Sequence, residues 1–97
     1  MVERRFRTRM GELDIVARDG ETIVFIEVKT RSGGRFGTPF ESVTWQKRRR
    51  LCSMAAEYVL ARRLAGAPCR FDVVAVTDSG GSAPRVEIVQ RAFDLNW

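Results

Sequence analysis

Hydrophobic and polar positions alternate along the first third of the chain and then change period. Leu13, Ile15 and Ala17 lie every second residue across Leu13–Ala17, and a second run, with the apolar stretch Ile23–Ile26 inside it, covers Thr22–Lys29. Both predict β-strands, and "RDGE" between them carries the Asp-Gly signature of a tight hairpin. The short basic segment "RRFRTR" (4–9) predicts a strand before them. The glycine-rich "TRSGGRFGTPF" (30–40) predicts a loop. The spacing then widens to Leu51, Met54, Ala55 and Tyr58, one face of a helix over 44–65 that is N-capped by Thr44 and stopped by Gly66 and Pro68. "RFDVVAVT" (70–77) reads as a buried strand, "DSGGSAP" as a turn and "RVEIVQ" (85–90) as a last alternating strand, so that C-terminal strands cover 70–90. The order β-β-β-α-β-β predicts an α/β fold, a mixed β-sheet built on a β-hairpin with one long helix packed on it. At 97 residues, without repeats or linkers, the chain is expected to be a single domain spanning 1–97.

The hairpin raises a question of charge. With Asp19-Gly20 as a two-residue turn, Arg18 pairs with Glu21, Asp14 faces Phe25 and Glu12 faces Glu27. Because opposed residues share a face and successive side chains alternate, one face then carries Glu12, Asp14, Val16, Ile23, Phe25, Glu27 and Lys29. The other carries Leu13, Ile15, Ala17, Val24, Ile26 and Val28. Three carboxylates and one ammonium meet beside Phe25, and like-charged carboxylates directly opposed across a sheet destabilise it unless something positive lies between them. A divalent cation is the simplest such species, and carboxylate oxygens without Cys or His select a hard ion, Mg²⁺ or Mn²⁺. An ion held there binds a phosphate oxygen and acidifies an attacking water, and Lys29 stands on the same side to hold that water or to offset developing negative charge. The plainer alternative is the wetted face of an antiparallel sheet.

Composition narrows the chemistry. The chain has no histidine, which excludes His-based nucleases, Ser-His triads and His-ligated zinc. Its two cysteines, Cys52 and Cys69, have no CxxC spacing, so neither a zinc site nor a disulfide framework is expected. No apolar run approaches a membrane span and no signal-type apolar region follows the basic start, so a cytoplasmic protein without a membrane partner is expected. The formal net charge of +5 and a pI near 10.2 point to a polyanion, most often nucleic acid. Of the 17 basic residues only Lys29 and Lys47 are lysine, and Arg supplies the planar fork suited to phosphate oxygens.

Candidate phosphate contacts are Arg31 and Arg35 in the glycine-rich loop, and Lys47 and Arg48 in "KRRR" (47–50), which opens the helix where cations oppose its dipole. Arg4, Arg5, Arg7 and Arg9 extend the positive surface. No aromatic series interleaves these charges, so contact with backbone and shape, with steep salt dependence, is expected rather than base stacking. Trp45 is expected to pack against the sheet, and Asp72 to open the strand it begins.

"GELDIVARDG", "VFIEVKTRS", "RFGTPFESV", "KRRRL" and "RFDVVAV" together resemble the YraN-like family of small predicted endonucleases, placed in the PD-(D/E)XK nuclease superfamily near Holliday junction resolvases. The resemblance covers about residues 4 to 78. It implies a restriction-endonuclease-like core in which Asp14 and Glu27 ligate the metal together with the Val28 carbonyl, and Lys29 is the catalytic lysine. Glu12 matches an acidic position of the motif, either as an extra ligand or as the partner of an arginine. Members usually begin with an amphipathic helix, whereas this sequence opens almost directly at "RRFRTR"; the core is expected to lack that helix, with a homodimer covering the face it leaves. The implied activity is metal-dependent hydrolysis of DNA phosphodiesters, in duplex or branched DNA. The alternatives are a non-catalytic nucleic-acid-binding module and an interaction subunit that keeps the fold.

Overall fold

The structure, a computed structural model, describes residues 2–32, 45–78 and 83–93. Five strands and one helix follow in the order β1 (Val2–Thr8), β2 (Gly11–Asp19), β3 (Thr22–Ser32), α1 (Trp45–Ala61), β4 (Cys69–Asp78) and β5 (Arg85–Phe93). They form one sheet ordered β1-β2-β3-β4-β5, antiparallel throughout except for the parallel pair β3–β4. A parallel pair needs a crossover, which α1 supplies. The expected mixed sheet with one packed helix is therefore present. β3 runs on to Ser32, into the segment read as loop, and β5 on to Phe93; Thr44, Arg35 and the rest of 33–44 lie outside the described residues.

Helix α1 buries Leu51, Met54, Ala55 and Tyr58, the positions its spacing predicted, against Val16, Ile23, Phe25, Phe71 and Val73 of the sheet. Tyr58 sits edge-on to both Phe6 (4.9 Å between centroids) and Phe25 (5.8 Å), and Phe25 stacks on Phe71 at 5.2 Å. Each such side chain, once fully buried, contributes about 1.5–3 kcal/mol by removal from water. The Tyr58 hydroxyl donates to Glu3 Oε2 (2.6 Å), and Arg62 clamps the same carboxylate through Nε (2.9 Å) and Nη2 (2.6 Å), tying the helix end to β1.

The helix stops at Ala61, before Gly66. Arg63, at φ +56°, takes the left-handed position after the last turn; its N–H donates to the Leu60 carbonyl, and the Leu64 N–H reaches back to the Val59 carbonyl (2.9 Å). This is a Schellman closure with arginine where glycine is usual.

The hairpin register differs from expectation by two residues. Asp19 pairs with Thr22, Arg18 with Ile23 and Val16 with Phe25, so the turn residues are Gly20 and Glu21. Gly20 has φ +61°, while Glu21 is not among the positive-φ residues. That is the II′ pattern, with glycine first, rather than the I′ pattern that favours Asp-Gly. A shift of two keeps every side chain on its face but changes its partner.

The expected division of faces fails at Leu13. It is 2% exposed and belongs to the core under α1. The β1–β2 register omits Arg5 opposite Asp14, and Arg5 has φ +55°. Alternation breaks there in both strands, so Glu3 and Phe6, three apart, both reach Tyr58, and their partners Val16 and Leu13 both enter the core. On the face of the sheet away from α1, Val74 and Val76 pair with Ile88 (64% exposed) and Val86 (57% exposed) of β5.

Candidate functional site

The β2–β3 ladder ends at Ile15–Ile26. One step further, the same register would set Asp14 across from Glu27. Instead the strands part, and the Asp14 carboxylate takes over from the missing backbone partner: the Val28 N–H donates to Asp14 Oδ2 at 2.9 Å. Within a strand the N–H and C=O of one residue point to the same side, so the Val28 carbonyl also turns toward the parted β2.

The opening leads into a cavity of about 270 Å³. Glu12, Asp14 and Glu27 form one wall, and Lys47 and Arg50 from the first turns of α1 form the other. Leu51 and Met54 close the base, and Met10 and Gly11 the rim. A crossover helix runs opposite to the strand before it, so its N-terminal turns come to rest over the second half of β3. Behind the carboxylates lies a void of about 10 Å³ bounded by Leu13, Phe25, Leu51, Phe71 and Asp72, with space for one water at most. The acids thus stand where the wet cavity meets the dry core.

Lys47 Nζ lies 2.8 Å from Glu27 Oε2, with the two side chains only 24% and 16% exposed. Burial alone would push the Lys47 ammonium down, but the Glu27 carboxylate outweighs it and the group stands above its ordinary value. Lys29 is close enough to interact with the same ammonium. It is half-buried and is not among the residues lining the cavity. Glu12 pairs with Arg7 at 3.5 Å, on the exposed rim. Among the described residues no three Asp, Glu or Cys side chains are grouped to hold an ion together. Glu12, Asp14 and Glu27 all line the cavity, but not as a group of three that could hold an ion.

Arg48 is half-buried in α1, and the side chain of Arg31, like Arg35, lies outside the described residues. Trp45, expected to pack, is 57% exposed. Asp72, expected to open its strand, is interior to β4 and 5% exposed; Arg70 bridges it (Nε–Oδ1 3.2 Å) to Asp19 (Nη1–Oδ2 2.8 Å). Arg50 was not singled out from the sequence, and Lys47 was assigned to phosphate rather than to Glu27. The signal was present: Lys47, Leu51, Met54 and Tyr58 follow helical spacing, so Lys47 begins the stripe that faces the sheet.

A mixed sheet with one crossover helix, parted between β2 and β3 over a pocket with acids on one wall and cations on the other, defines an α/β protein with a polar site toward the C-terminal end of a parallel strand. The profile of the uncharacterised protein family UPF0102 matches residues 1–76, and the chain belongs to that family. It is similar to UPF0102 proteins of Moorella thermoacetica (54% identical over 94 residues, 96% of this chain and 78% of the relative) and Geobacter metallireducens (47% over 97 residues, 100% and 79%). A third from Symbiobacterium thermophilum is 45% identical over 93 residues, 96% of this chain and 79% of the relative. Among the described residues no helix is long and apolar enough to cross a membrane.

Proposed function

We propose that the protein is a divalent-metal-dependent endonuclease of the PD-(D/E)XK type, acting on the phosphodiester backbone of duplex or branched DNA. The observation that carries this reading is the meeting of Asp14 and Glu27, from neighbouring strands, in one cavity with Lys47 and Arg50. The donor set fits Mg²⁺ or Mn²⁺: two carboxylates and the Val28 carbonyl are all hard oxygens, and Mg²⁺ characteristically takes one or two carboxylates and fills its remaining positions with water and substrate phosphate. When bound, the ion supplies Lewis-acid polarisation of the phosphate and a more acidic water. Asp14, oriented by the Val28 N–H, and Glu27 would hold it. Lys29, beside Glu27 on β3, would offset charge developing on the phosphate, and Arg50 would draw the backbone into the cavity. Arg31, Arg35 and Arg48 remain candidate contacts to the DNA backbone on the grounds of their sequence positions.

A second reading is favoured by the Lys47–Glu27 contact and, among the described residues, by the absence of any group of three carboxylates able to hold an ion: a non-catalytic module that binds nucleic acid through its cations. One assay separates the two. Linear duplex, single-stranded and four-way-junction DNA are incubated with Mg²⁺, Mn²⁺ or chelator, with Lys29→Ala and Asp14→Asn beside the wild type. Cutting that needs the metal and is lost in both variants supports the nuclease. Salt-sensitive binding without cutting, indifferent to metal and to Lys29→Ala, replaces it with the binding module.

A further inference from the structure

Lys47 occupies a position that helix electrostatics opposes. It lies in the first turn of α1, where unpaired N–H groups already present positive charge and no acidic residue offsets it. It is nonetheless half-buried, on the stripe that faces the sheet, with its ammonium on Glu27. The type of cation is also selective. Of 17 basic residues only two are lysine, and these two stand together beside Glu27, whereas the outlying charge is arginine. An ammonium is a compact point charge on a flexible stem, able to release a carboxylate and swing away; a guanidinium fork grips both oxygens in a fixed plane.

We propose that Lys47 is the resident counter-ion of the candidate site, which shares Glu27 with the divalent cation by exclusion: the ammonium holds the carboxylate in place when no cation is bound and yields it when one arrives. The proposal rests on the metal-dependent reading above. Two carboxylates brought together at the edge of the core repel each other, and a positive group between them and the cavity removes that cost. A divalent ion seated on Glu27 Oε2 repels the Lys47 ammonium more strongly than that oxygen attracts it, so the ion displaces the ammonium. Once released, the Lys47 side chain remains in the cavity it already lines, beside Arg50, on the wall where a substrate phosphate would lie. Lys47 is thus a positioning residue for Glu27 first and a phosphate contact second.

The test measures Mn²⁺ binding by electron paramagnetic resonance and titration calorimetry, on the whole chain without nucleic acid. The variants are Lys47→Met, Lys47→Gln, Lys47→Arg and Glu27→Gln, each checked for its fold by circular dichroism. With the competitor gone, Lys47→Met and Lys47→Gln are expected to bind Mn²⁺ about tenfold more tightly than wild type, the equivalent of one modest ion pair. Lys47→Arg keeps the competitor and binds at or below wild-type affinity, and Glu27→Gln loses binding. Without metal, the neutral variants melt at lower temperature than wild type, and Mn²⁺ raises their melting temperature more. Either neutral variant suffices if the other does not fold. Unchanged or weaker Mn²⁺ affinity in a folded neutral variant, with wild type binding and Glu27→Gln not, overturns the competition alone. Absence of Mn²⁺ binding in wild type and neutral variants alike overturns the competition together with the metal-dependent reading.

Discussion

Replacing Tyr58 by Phe removes one oxygen from the most enclosed large side chain of the protein and leaves its ring contacts with Phe6 and Phe25 in place. The lost bond is the 2.6 Å donation to Glu3 Oε2. Hydrogen bonds to charged groups contribute about 1.5–3 kcal/mol. Because Arg62 still holds the carboxylate through two donors, no charge is stranded and the lower figure applies. A loss of about 1.5 kcal/mol in a domain of this size corresponds to a drop of about 6–12 °C in melting temperature. The pH dependence checks the cause. Hydrogen bonds from Arg62, and then from Tyr58, hold the Glu3 carboxyl down at about 2 against an ordinary 4.5. A depressed carboxyl stabilises the fold above its unfolded value and loses that contribution as pH falls through its folded value. The gap between wild type and variant should therefore narrow between pH 4.5 and 2. Burial, and then the bond to Glu3, push the Tyr58 phenol up to about 12 from 10. A raised phenol stabilises below pH 10 and ceases to do so as pH rises to 12, so the gap should narrow there as well. Melting followed by circular dichroism from pH 2.5 to 11.5 measures both limbs. A gap below about 0.5 kcal/mol at pH 7, or one that is flat from pH 5 to 2.5, refutes the reasoning.

Other substitutions test the backbone and the polar ties. Arg63→Gly relieves a non-glycine residue at φ +56° and should stabilise by about 0.5–1 kcal/mol, read as a higher urea midpoint at unchanged slope. Gly11→Ala forces a side chain onto φ +138° with its Cβ 3.5 Å from Met54 Sδ, and should cost about 1–3 kcal/mol in the same experiment. Arg70→Met removes the bridge between Asp72 and Asp19 while keeping the stem, and leaves a carboxylate that is 5% exposed without that cation; a loss of about 2–4 kcal/mol is expected by thermal melting.

The elements and the core of α1 were legible because both depend on local period: 2.0 in the strands and 3.6 at Leu51, Met54, Ala55 and Tyr58. What failed depended on backbone states that no side chain announces. Asp-Gly suggested a turn with Asp19 and Gly20 at its centre, but the chain places Gly20 first in the turn, and the two-residue slip moves Asp14 from Phe25 toward Glu27. Glu12, Asp14 and Glu27 line one cavity, although the alternation that placed them on one face breaks at Asp14. Nothing in "RRFRTR" marks Arg5 as left-handed, so the entry of Leu13 into the core was invisible. Gly66 and Pro68 looked like the helix stop, yet Arg63 supplies it earlier, a choice arginine's intrinsic preferences do not reveal. At the site, Asp14 and Glu27 were singled out as candidates from the sequence, whereas the cations facing them required the crossover: Lys47 is joined to Glu27 only when α1 packs back over β3.

That division has a consequence for how the protein is made. β1, β2 and β3 are consecutive hairpin-connected strands, and the Thr8–Gly11 turn is closed by its own Thr8 hydroxyl, which accepts from the Met10 N–H (3.1 Å) and donates to the Gly11 carbonyl (2.8 Å). Pairing of this kind closes short loops and forms early, whereas the parallel β3–β4 pair waits for a long crossover. Synthesis adds to the asymmetry, since the N-terminal strands leave the ribosome first. A nascent chain therefore exposes its two acids, side by side, before the helix that neutralises Glu27 exists. The step that packs α1 over β3 is then also the step that covers the charge.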